Sequence, residues 1–180
     1  MTDDPAATLE TGDDEDVAPL WTRFLARWPW PALYALASFL AFLAYYVVGH
    51  RRAIIRGNLD VAFPELSVAE RKRIMRAHYR GFADVMVEIA KTPRLRPEDI
   101  RDRVGIVNLD AVRGPLVQGR PVLIVAAHQC NWEWMLHALA LNLGFPIDAT
   151  YKPLKNAWAE KFMLQLRSRF GSRMVPSPVL

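Results

Sequence analysis

The stretch "VLIVAAHQCNWEWMLHAL", Val122 to Leu139, begins as an unbroken apolar run and ends as an apolar run with helical spacing. "PVLIVAA" is short and β-branched, which reads as a buried strand. "NWEWMLHALALNLG" then repeats Trp132, Leu136, Leu139 and Leu143 on one helical face. A strand leading directly into a helix is half of a βα unit, and the neighbouring segments extend the pattern. "VGIVNL" reads as a strand and "DAVRGPLVQGR" as a short helical segment weakened by Gly114-Pro115. "FPIDATYK" is a further strand, and "NAWAEKFMLQLRSRFG" a helix that Gly171 closes. Alternating strands and helices imply an α/β fold whose sheet is mostly parallel, with flanking helices. The sequence contains no internal repeat, P-loop or G-x-G-x-x-G fingerprint.

The wider composition narrows the function classes. A chain of 180 residues, 52% of them hydrophobic, has material for one main globular unit. Its single cysteine, Cys130, excludes an intrachain disulfide framework and a Cys-based structural zinc site, and suits a reducing compartment. The net charge of +4 conceals an asymmetry. Met1 to Asp16 carries seven acidic residues and no Lys or Arg, so the remainder carries +11. Such a surface favours anionic partners: a membrane, a phosphorylated ligand or nucleic acid. Residues 1–27 are expected to form an acidic, disordered tail.

Trp28 to Gly49 gives 22 residues without a formal charge. As a helix it would reach roughly 33 Å, enough for a hydrocarbon core of about 30 Å. Trp28, Trp30 and Tyr34 at one end and Tyr45 and Tyr46 at the other sit where interfacial aromatics belong. Residues 28–50 are therefore expected to be a membrane anchor helix, and a cleaved signal peptide fits the pattern less well. Arg23 and Arg27 precede the run and Arg51, Arg52 and Arg56 follow it, a bias that places the C-terminal side in the cytoplasm. Further on, Ser67 and Glu70 form a capping box that starts a helix near Val68. Ile74, His78, Phe82, Val85 and Ile89 are its expected apolar face, opposite a surface dense in arginine. "TPRLRPEDIRDR" then reads as a boundary between helical and mixed parts.

His128 lies at the carboxyl end of the expected strand, the edge where open α/β sheets bind ligands, and Glu133 follows five residues later. On one continuous helix the two side chains would point about 140° apart, so their pairing requires the intervening turn. With that turn, Glu133 can accept from one imidazole nitrogen and leave the other as a base. Backbone N–H groups at the helix start can stabilise negative charge developing on an acyl oxygen. Spacing alone leaves alternatives open. Cys130 could act as nucleophile or be a small, partly buried side chain; His137 could be a further polar member or lie on the solvated face.

"HQCNWEWM" resembles the H-x4-D/E motif of the bacterial lipid A biosynthesis acyltransferases, the late lauroyl and myristoyl transferases of the lysophospholipid acyltransferase superfamily. "RRAIIRGNLDVAFPELSVAERKRI" is similar to that family's segment after its membrane anchor, and "YKPLKNAWAEKFMLQLRSRFG" to its region after the motif. The resemblance implies that residues 51–180 are the N-terminal part of an acyltransferase domain. It further implies transfer of an acyl chain from an acyl carrier protein thioester to a hydroxyl of a lipid A precursor, at the cytoplasmic face of the inner membrane. His128 would be the general base and Glu133 its partner, with no metal, cofactor or covalent acyl-enzyme. Arg167, Arg169, Lys152 and Asn131 would contact the glycolipid acceptor. Two departures stand out. Cys130 occupies a place where the family usually has a smaller residue, often glycine, and family members continue well past the point matching Leu180. The expectation is a fragment or a shortened gene product, with an open sheet edge. An acyltransferase for another lipid or pigment, and a truncated inactive module that binds lipid, are the competing expectations. Nucleic-acid binding is disfavoured, because no recognition-helix motif accompanies the basic residues.

Overall fold

In the computed structural model, which describes residues 20–177, the longest helix starts where the capping box places it. Ser67 Oγ accepts from the Glu70 N–H, and Glu70 Oε2 accepts from the Ser67 N–H at 2.8 Å. From there the helix runs over Val68–Lys91. Numbered in chain order, the helices are α1 Leu20–Leu25, α2 Trp30–Phe42, α3 Arg52–Ala62, α4 Val68–Lys91, α5 Pro97–Arg103, α6 Leu109–Val117, α7 Trp132–Leu143 and α8 Ala157–Ser168. α2 continues as a π-helical segment, Leu43–Val48, and a 3₁₀ turn, Thr92–Arg94, follows α4. Strands β1, Ile147–Tyr151, and β2, Ser172–Pro176, pair in parallel with α8 as their crossover, Ile147 opposite Ser172. The architecture is that of an incomplete α/β acyltransferase-like fold: mostly helical, with one short parallel pair. Residues 1–19 of the expected acidic tail lie outside the described residues, and α1 is formed within the remainder.

Two apolar clusters organise the molecule. In the first, Leu33, Ala37 and Ala41 of α2 pack against Met75, Tyr79, Ala83 and Val87 of α4. This corrects the expected face of α4. Of that face Val85 is buried and Ile74 and Ile89 are half-buried, but His78 and Phe82 are exposed and the row packed on α2 lies one residue along, because α4 is apolar over more than one stripe and the small residues of α2 select which part is covered. In the second cluster Leu95 and Ile100 meet Trp134 and Ala138 of α7. The segment expected as a boundary is therefore a packed corner, in which Arg96 and Asp99 cap α5.

The opening stretch is half as expected. α7 forms and ends at Gly144 in the left-handed region. "PVLIVAA", however, is not a strand: residues 121–127 form no regular element and have no ladder partners, and Leu123 is 88% and Val125 86% exposed. The physical reason is the missing neighbour, since extended backbone becomes a strand only when another strand takes its N–H and C=O groups. "VGIVNL" likewise forms no strand, for the same reason. β2 was not foreseen; it forms because β1 offers it a partner.

Candidate functional site

Asn131 begins α7 by accepting the Trp134 N–H on Oδ1 at 3.1 Å, the role a short amide side chain performs at a helix start. Its Nδ2 donates to Glu88 Oε2 at 2.7 Å, and Glu88 Oε1 accepts from the Tyr34 hydroxyl at 2.8 Å. One residue thus ties the start of α7 to α4 and α2. Trp134 reinforces the joint: its Nε1 donates to Thr92 Oγ1 at 2.9 Å, and its ring stands edge-on to Trp30, 5.8 Å between centroids. Arg103 lies over the other ring of this pair, 3.7 Å from the Trp30 centroid.

Glu133, in the first turn of α7, points inward and is 2% exposed. Arg167 of α8 meets it through two nitrogens, Nε at 2.9 Å from Oε2 and Nη2 at 2.6 Å from Oε1. Trp132 Nε1 adds a donor to Oε1 at 3.1 Å. A buried carboxylate needs such partners, and the planar guanidinium fork supplies them in parallel. The same contact holds the Arg167 guanidinium above its ordinary pKa. One turn further, His137 is fully buried, its ring edge-on to Phe170 at 5.0 Å, and neither ring nitrogen has a hydrogen-bond partner. Burial pushes its pKa down to about 4, so it is neutral at pH 7. The solvated face considered for His137 is therefore overturned.

His128 is placed differently. It is exposed, at the end of the unpaired segment 121–127, with its ring 4.9 Å from that of Trp132. Among the described residues it makes no hydrogen bond to Glu133, whose carboxylate faces Arg167. Cys130 is exposed and takes φ 48°, a left-handed conformation that glycine adopts without strain. That is a backbone reason for small residues to be usual here, and the exposed thiol, two residues from His128, has none of the geometry of a paired nucleophile.

The basic residues separate into distinct environments. Arg169 donates to the Leu95 carbonyl at 3.1 Å and, with Arg23 and Arg94, lines a cavity of about 310 Å³ between α1, the 3₁₀ turn and α8. Lys152 is exposed immediately after β1. Sequence reading missed the Arg167–Glu133 pair and the Glu88–Asn131 bond, which span 34 and 43 residues and leave no local signature. No cluster of His, Cys, Asp or Glu suited to a metal ion occurs among the described residues.

Comparison with known proteins gives one consistent answer. The family model described as bacterial lipid A biosynthesis acyltransferase matches residues 18–178. The lipid A biosynthesis palmitoleoyltransferase of Escherichia coli K12 is 26% identical over 156 residues, 87% of this chain and 49% of its own length. The lauroyltransferase of the same organism is 24% identical over 140 residues, 78% of this chain and 44% of its own. The chain thus spans about half the length of the curated relatives it matches. No solved structure matches it.

Proposed function

The chain belongs to the bacterial lipid A biosynthesis acyltransferase family, and from that membership we propose that it supplies the catalytic turn of an enzyme that acylates a lipid A precursor. The observation that carries the reading is the family match over residues 18–178 together with the position of His128 and Glu133 at the entrance to α7. The donor is an acyl carrier protein thioester and the acceptor a hydroxyl of the glycolipid. No cofactor is required, and residues 28–50 anchor the chain at the cytoplasmic face of the inner membrane.

In this scheme His128 removes the proton of the acceptor hydroxyl as its oxygen attacks the thioester carbonyl. The tetrahedral intermediate collapses with loss of the carrier thiolate, which receives the proton from the imidazolium. Glu133 orients the imidazole. Its carboxylate has four acceptor sites, and Arg167 and Trp132 leave Oε2 with capacity for one more N–H, which His128 fills when substrate orders residues 121–130. Arg167 then acts by fixing Glu133, while Arg169, Lys152 and Asn131 position the acceptor. Arg169, in its arginine-lined cavity, receives an acceptor phosphate.

The test is acyl transfer by the full-length protein. His128→Ala is expected to abolish turnover and leave membrane association intact, and Glu133→Gln to reduce turnover severely; substantial residual turnover by the first variant sinks the assigned base. Mass spectrometry of lipid A from a deletion strain is expected to show loss of one secondary acyl chain. Unchanged lipid A would redirect the same chemistry to another lipid.

A further inference from the structure

Trp30–Val48 is, among the described residues, the helical stretch long and apolar enough to cross a membrane. Its setting in the fold decides how it can lie. The start of α2 and the end of α4 share a location: Trp30 stacks edge-on against Trp134, and Thr92, just past α4, accepts the Trp134 indole N–H. The Tyr34 hydroxyl meets Glu88 near that same end. At the far end Tyr45 packs on Tyr79, 5.4 Å between centroids, and the Tyr79 hydroxyl donates to the His50 carbonyl. The chain reverses there through Gly49 and Arg51, both left-handed, into α3, and α4 returns antiparallel to α2.

A crossing by α2 would therefore drag α4 through the bilayer beside it. The part of α4 beside α2, from Tyr79 to Lys91, carries Arg80, Asp84, Glu88 and Lys91, and Arg80 is exposed. Charges of that number do not enter hydrocarbon. Yet the same pair also exposes large apolar side chains: Phe39, Leu40 and Phe42 on α2 and Phe82 and Met86 on α4 are all at least 40% exposed. Basic residues flank it at both ends, Arg23 and Arg27 before α2 and Arg51, Arg52 and Arg56 after it.

We propose that α2 and α4 form an in-plane mount: the pair lies along the bilayer surface, with its exposed apolar side chains among the acyl chains and the arginines at both ends of α2 on anionic headgroups. Similar basic flanks at both ends of α2 follow directly, since both ends rest on the same leaflet. The inference rests on the membrane reading above and specifies how the anchor meets the lipid.

Single-cysteine variants of the full chain in a Cys130→Ser background test it, at Thr11, Glu65 and Lys155, using a membrane-impermeant maleimide on oriented inner-membrane vesicles. All three positions are expected to react from the cytoplasmic face alone. Reaction of Thr11 or Glu65 from the opposite face overturns the mount and leaves the acyltransferase assignment standing. Recovery of the whole chain in the soluble fraction overturns the membrane reading itself. With Phe39→Asp and Phe82→Asp combined, binding to phosphatidylglycerol-containing vesicles should fall at least tenfold; unchanged binding also overturns the mount.

Discussion

His128 and Glu133 stand five residues apart and receive opposite treatment from the fold. Glu133 is sealed in the interior by Arg167 and Trp132, and Asn131 beside it is tied to α4. His128 sits in solvent on a segment with no ladder partners. The difference separates two properties that often travel together: the residues before the turn are exposed and unpaired, and those after it carry the packing. Substitutions on either side should therefore produce different kinds of damage.

The largest effect expected is on activity, from the exposed side. His128→Ala should abolish acyl transfer by the full-length protein to within measurement, a loss at the upper end, about 10⁴-fold, of what a lost general base costs. The unfolding free energy should move by no more than about 0.5 kcal/mol, as for other exposed positions. A large loss of stability would break the comparison. On the fixed side, Arg167→Ala strands a buried carboxylate and should cost about 3–5 kcal/mol of stability in denaturant unfolding, with much of it recovered by Glu133→Leu with Arg167→Met. If Arg167→Ala unfolds at the wild-type midpoint, the pair is not holding the start of α7.

His137 gives the fixed side a pH signature. Its pKa falls from 6.5 to about 4 on folding, so as pH drops from about 6.5 toward 4 the unfolded chain takes up a proton that the folded chain refuses. Stability should decline through that window and be level with respect to this group above it. His137→Leu should flatten the slope, and an unaltered slope would show that another group is responsible. A smaller effect, about 1 kcal/mol, is expected for Asn131→Ala through the lost cap, read from thermal unfolding. Smallest of all, Val125→Lys should change stability by less than about 0.5 kcal/mol, because Val125 is already 86% exposed; a larger cost would mean that the segment is packed.

What could be read from the sequence was local. The capping box at Ser67, the helical face of α7 and the start of α8 at Asn156 are settled within a few residues, and each is legible close to where it forms. The phase of burial on α4 was not, because Met75 and His78 lie on adjacent faces and only the approach of Leu33, Ala37 and Ala41 chooses between them. "PVLIVAA" was misjudged for a related reason: its composition is that of a strand, but a strand is a relation between two segments. At the site, the chemistry-bearing residue types were visible, whereas the partner of Glu133 lay 34 residues away, and Asn131 revealed nothing of Glu88. The left-handed turn at Cys130 had no residue signal either, since cysteine is not a residue that announces positive φ.

All members of the α2–α4 cluster lie between Leu25 and Val87, whereas Glu133 waits for Arg167. On a ribosome adding roughly 5–20 residues each second, the roughly 75 residues between Lys91 and Arg167 take on the order of 4–15 s to appear. On the membrane mount proposed above, the helical pair is thus available to settle on lipid before the Glu133–Arg167 pair can form, and the residues that follow fold against a surface already in place.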